Sequence, residues 1–115
     1  MLITEFYDKV NGNYDEVKSR LMTDERIIKY LRKFPATGDF ENLKAALAEE
    51  NWELAFRTSH NLKGMCLNLG LTSLFEPSSA LCENLRSGSP KEDCAPFMAE
   101  VEKKYTETLE AIAQL

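Results

Sequence analysis

Residues 51–70 read NWELAFRTSHNLKGMCLNLG and hold the only histidine of the chain. Asn51 suits a helix N-cap and Gly70 a C-terminal stop, so the spacing predicts one helix about 28 Å long at 1.5 Å per residue. At about 100° per residue, Leu54, Ala55, Thr58, Leu62, Met65, Cys66 and Leu69 share one side and make a core stripe. Within roughly 60° of His60 on the other side lie Glu53, Phe56, Arg57, Lys63, Gly64 and Leu67. The imidazole therefore points away from the core.

Its neighbours divide a working histidine from an idle surface one. Gly64 in mid-helix costs on the order of 1 kcal/mol relative to alanine, and removing a side chain there opens space beside the ring for another molecule. Lys63, one turn on, can reach a group attached to the imidazole, and an ammonium binds phosphate as a point charge. Phe56 and Leu67 place an apolar rim on a face that is otherwise polar, as a docking surface needs. Either one can equally be covered by a neighbouring helix. Arg57 suits steering of an acidic partner, or a simple pair with Glu53 four residues before it. Asn61 and Asn68, about 80° to 100° off the His60 direction, are partner-contacting candidates or plain polar flanks.

Working outward, every other segment also reads as helix. Leu2, Ile3, Phe6, Tyr7 and Val10 have helical spacing, and Asn11-Gly12 reads as a stop. Asn13 with Glu16 resembles a capping box for a helix carrying Tyr14, Val17 and Leu21. Thr23 caps a third with Ile27, Ile28, Leu31 and Phe34 inward, ended by Pro35. Asp39 starts a fourth, with Phe40, Leu43, Ala46 and Leu47. After Gly70, Thr72 is the expected cap of a helix with Leu74, Ser78, Leu81, Cys82 and Leu85 inward, in which Pro77 should kink the first turn or delay the start. Ser87-Gly88-Ser89-Pro90 is a turn, and Pro90 suits a first helical position. The final helix puts Phe97, Met98, Val101, Tyr105, Thr108, Leu109 and Ile112 inward, with Pro96 marking a kink or a start nearer Asp93. The expected architecture is all-α: an antiparallel up-down four-helix bundle over about 39–113, with short capping helices over about 2–34, in one domain of residues 1–115.

Composition excludes several classes. At 115 residues the chain can bury a core without staples. A net charge of -5 argues against nucleic acid, which wants a basic face. No apolar run approaches a membrane span of about 20 residues, and the acidic MLITEFYDKV start is unlike a signal peptide. Cys66, Cys82 and Cys94 are odd in number, lack metal spacing and fall on or near apolar stripes, so reduced thiols and the cytoplasm are expected. No metal site is expected around His60, since no cysteine shares its face and Glu53 is two turns away. With 5 glycines and no glycine-rich nucleotide loop, the chain should not use ATP itself. Nothing specifies an oligomer, so a monomer is expected. Met1 at the start and no linker at either end fit a free-standing protein, as they fit an excised fragment.

His60-Asn61-Leu62-Lys63-Gly64, followed by Leu69-Gly70, resembles the H-x-L-K-G-x-x-x-x-L-G signature of histidine-containing phosphotransfer (HPt) domains, the intermediates of multistep phosphorelays. The resemblance implies the same helical architecture and a phosphotransfer protein rather than an ATP-using kinase. It implies that His60 accepts a phosphoryl group on Nε2 from a receiver-domain aspartate, or a hybrid kinase, and passes it to a response-regulator aspartate. Lys63 would then compensate the phosphate charge and Gly64 give steric access, with Phe56, Arg57, Asn61, Leu67 and Asn68 toward the partner. No cofactor is expected on this chain; Mg2+ belongs to the partner receiver. Ser59 stands where the family often has alanine, and Met65 and Cys66 are bulkier than the usual residues after lysine-glycine. A docking module of the same fold, binding receivers or another helical partner without taking phosphate, is the competing expectation. Phosphate on His60 separates the two.

Overall fold

A computed structural model describes all 115 residues, as seven α-helices and no strand: α1 (Ile3–Lys9), α2 (Tyr14–Leu21), α3 (Asp24–Lys33), α4 (Asp39–Ala48), α5 (Trp52–Leu69), α6 (Thr72–Leu85) and α7 (Cys94–Ala113). A 3-10 turn, Phe34–Thr37, joins α3 to α4. No helix is long and apolar enough to cross a membrane.

Local chemistry sets most of the helix starts. Asn13, Thr23 and Asn51 each accept a hydrogen bond from the backbone N–H three residues on, at 3.1, 3.2 and 3.2 Å, satisfying a donor the helix leaves open. Pro35 does end α3, by turning its last residues into the 3-10 segment, and Gly38 at φ 76° swings the chain into α4. α5 closes on Gly70 at φ 71°, with the Leu71 N–H returning to the Cys66 carbonyl at 2.8 Å, a Schellman-type end.

Three expectations at the helix starts need correction. Thr72 does not cap α6. Leu71 occupies the cap position and Thr72 is already helical, while the N–H of Ser73 is satisfied by the distant Val10 carbonyl at 2.9 Å. Pro77 does not delay the start either, because α6 runs through it. The loss of one backbone donor is offset by the burial of Leu74, Ser78, Leu81, Cys82, Asn84 and Leu85 along the same helix. Pro90 lies in the connection, not in a helix. α7 begins at Cys94 under an Asp93 cap, whose carboxylate accepts from the Ala95 N–H at 3.0 Å. Pro96 then falls in the first turn, where its missing N–H costs nothing.

Packing follows chain order. α5 lies against both α4 and α6, and α6 lies against α7. One cluster of 22 buried residues runs through all of them and includes Phe6, Tyr7, Val10, Val17, Ile27 and Leu31 from α1–α3 and the residue after α1. Phe40 of α4 stacks on Tyr105 of α7, centroids 4.1 Å apart. All three cysteines are free, and burial pushes the Cys66 thiol up to about 12.

The N-terminal helices also close the far end of α5. Tyr7 donates its hydroxyl to the Leu69 carbonyl at 2.8 Å, and Arg20 donates to the carbonyls of Leu67 and Asn68 at 3.2 and 2.8 Å. These are last-turn carbonyls, of which only that of Leu67 has a local donor, the Gly70 N–H at 3.4 Å.

Candidate functional site

His60 is the ninth of the 18 residues of α5, held in mid-helix with its side chain exposed. The turn beneath it is fixed. Ser59 is fully buried and donates its hydroxyl to the Phe56 carbonyl at 2.8 Å, Thr58 donates to the Leu54 carbonyl at 2.9 Å, and Leu62 is buried. Ser59 thus does the work of a small packing residue, and Cys66 is buried on the core side as the periodicity predicts, while Met65 is half-buried. The backbone that carries the imidazole has little freedom, whereas the ring itself faces solvent.

Around the ring the structure gathers most of the sequence candidates. A β-carbon added at Gly64 meets no atom within 4 Å, so the space one turn past His60 is open. Lys63 is half-buried, and its charge acts on Glu83 of α6. Phe56, one turn before, lies with its ring centroid 6.2 Å from the imidazole at a 48° tilt. Leu67 is 62% exposed. Arg57, Asn61 and Asn68 are exposed. Arg57 forms no ion pair with Glu53; the five ion pairs of the molecule lie elsewhere. Asn68 meets Arg20 through its carbonyl alone.

Sequence reasoning missed two residues, both on the neighbouring helix. Arg86, at the end of α6, lays its guanidinium over the Phe56 ring, with Cζ 5.5 Å from the centroid. Phe56 is therefore partly covered. The same guanidinium grips Glu83, its Nε 2.9 and 3.0 Å from the two carboxylate oxygens and Nη2 2.6 Å from one of them. That hydrogen-bonded guanidinium holds the Glu83 carboxyl below its ordinary range, and the charges of Lys63 and Lys91 act in the same direction. A helical wheel of α5 cannot contain them. The nearest available signal was the Glu83–Arg86 spacing of three, which marks a pair but not its position.

No three His, Cys, Asp or Glu side chains come together in a group that could hold a metal. The site is one exposed imidazole, one half-buried lysine, an open position and an aromatic flank, which together suit a nucleophile approached from outside by an anionic group.

The family model described as the Hpt domain matches residues 36–114. The chain belongs to the Hpt family. Comparison with curated proteins and with solved structures returns no match. The matched stretch begins after α3 and contains the whole His60 face, together with Glu83 and Arg86. Hpt membership carries a histidine phosphotransfer role in phosphorelays, and Hpt domains typically interact with receiver domains and kinases.

Proposed function

We propose that His60 is the phosphoacceptor of a phosphorelay intermediate, taking the phosphoryl group from a receiver aspartate or a hybrid kinase and passing it to a response-regulator aspartate. The observation that carries this is the pairing of the chain's only imidazole, exposed in mid-helix, with open space at Gly64 inside the family-matched stretch. On this reading α4–α7 form an antiparallel four-helix bundle whose second helix presents the histidine, and α1–α3 belong to the same domain.

The chemistry asks little of this chain. A neutral imidazole nitrogen, Nε2, attacks phosphorus while the partner's aspartyl oxygen leaves as carboxylate; the N–P bond forms as the O–P bond breaks. The return step reverses the roles, with an aspartate of the next receiver attacking and the imidazole leaving. Such transfers are governed by positioning and charge compensation. Ser59 and Leu62 anchor the turn that positions the ring. Lys63 meets the phosphoryl group, which carries about -1.5 to -2 charges near neutral pH. Gly64 leaves the approach open. The Mg2+ that such transfers use is expected on the receiver. Arg57, Asn61, Leu67 and Asn68 then face the docked receiver, and Phe56 joins them where Arg86 leaves it exposed.

The test is transfer from a panel of phosphorylated receiver domains, read as acid-labile, alkali-stable phosphate on this chain. Label on the wild type, absent in His60→Gln, is expected. Binding without label across the panel would leave the domain as a receiver-docking module that takes no phosphate.

A further inference from the structure

The Arg86 guanidinium sits where two contacts compete with a third that only phosphate creates. It now bonds Glu83 through a two-oxygen fork and lies on the ring of Phe56, and the same ring neighbours the imidazole of His60. Its side chain is about half exposed, at 49%, as is that of Glu83 at 55%. At this exposure both contacts are open to exchange, because a surface ion pair is screened by solvent and a surface cation–π contact is small. A phosphoryl group on the imidazole offers nearly twice the charge of a carboxylate, and two of its three terminal oxygens can accept the guanidinium's paired N–H groups. We propose that Arg86 is a swinging lid of the phosphotransfer site, which leaves Glu83 and the Phe56 ring to pair with a phosphoryl group at His60 and so uncovers Phe56 for the receiver.

The proposal rests on His60 being the phosphoacceptor. Three further observations support it. Arg86 is anchored at the end of α6, as its C-cap residue, so its side chain can turn without disturbing the helix. Glu83 is not orphaned when the lid leaves, since its side chain is open to solvent and the charge of Lys91 already acts on it. Phe56 is the one aromatic group beside His60; it is half-buried, packed against the core and overlaid by the guanidinium. With the lid away, Phe56 and the exposed Leu67 flank His60 on both sides along α5, giving the receiver an apolar strip that is complete only when phosphate is present.

The experiment uses the full chain phosphorylated on His60 with phosphoramidate, a small donor that needs no receiver. Phosphorus NMR follows the titration of the phosphoryl group, and proton NMR follows the contact between the Arg86 side chain and the Phe56 ring. In the wild type the ring contact is expected in the free protein and absent once phosphate is on. Arg86→Ala should raise the pH midpoint of the phosphoryl titration by about half a unit, since a cation that favours the dianion is gone. Arg86→Lys should recover part of that shift, and Glu83→Gln, which frees the guanidinium, should move the midpoint the other way. A ring contact that persists in the phosphorylated wild type, or a midpoint indifferent to both substitutions, overturns the lid and leaves His60 as acceptor. If phosphoramidate puts no phosphate on His60, the phosphoacceptor reading and the lid fall together. The wild-type ring contact decides the matter even where a variant fails to fold.

Discussion

A β-carbon on Gly64 would touch nothing, so the fold itself gives no reason for glycine at that position. Helix propensity argues the reverse: alanine should stabilise an exposed helix interior by about 1 kcal/mol, or roughly 3–5 °C in Tm for a chain of this size. If Gly64 serves access to the imidazole, Gly64→Ala will melt higher and transfer phosphate more slowly. Thermal unfolding and the receiver assay, run on one preparation, give both readings. A variant that is more stable and equally fast removes the access role. The sequence made this residue legible because the argument is local to one helix. Arg86 was invisible for the opposite reason. Its place over Phe56 depends on the packing of α6 against α5, which no periodicity within either helix records.

Where two elements meet, the same glycine-to-alanine change has the opposite sign. A β-carbon on Gly12 would lie 2.1 Å from the Gly70 carbonyl oxygen and 2.7 Å from the Tyr7 ring. The α1–α2 turn and the α5–α6 turn touch backbone to backbone there, so neither can yield cheaply. Gly12→Ala is expected to destabilise by at least about 2 kcal/mol, measured by urea unfolding. Tyr7, in the same contact, links stability to pH. Burial pushes its phenol above the ordinary value of 10.0, so the folded state favours the protonated form. Its contribution is fully present below about pH 10, the unfolded value, and is lost as pH rises beyond it. Tyr7→Phe should therefore be less stable than wild type near pH 8, where the bond to the Leu69 carbonyl is missing, and the gap should narrow by pH 11. A gap of constant size would disprove the linkage. Element boundaries divide along the same line. Asn13, Thr23 and Asn51 announce their helices because each cap bonds three residues away. The start of α6 misleads because its N–H partner is Val10, 63 positions earlier in the chain by the numbering of that bond. Asn84 escapes notice for a similar reason: it is buried to bind the Glu92 backbone and hold the connection to α7.

For the molecule as a whole the open question is whether the family-matched stretch is enough. The match begins at residue 36, and a fragment starting there would keep His60, Lys63, Gly64 and Arg86. It would lose Phe6, Tyr7, Val10, Val17, Ile27, Leu31 and Phe34 from the buried cluster. At about 1.5–3 kcal/mol for each large apolar side chain, that is about 10 kcal/mol or more, set against a total stability of about 5–15 kcal/mol for an ordinary domain. The carbonyls of Leu67, Asn68 and Leu69 would also lose Arg20 and Tyr7 at the end of the histidine helix. Residues 36–115 alone should therefore show no cooperative thermal transition, and the full chain a single one, by circular dichroism at 222 nm. A fragment that melts cooperatively with the helix content of α4–α7 would mean that α1–α3 ride on a helical unit stable without them. In that case the hydrogen bonds to the end of α5 add to its stability but do not decide whether it folds.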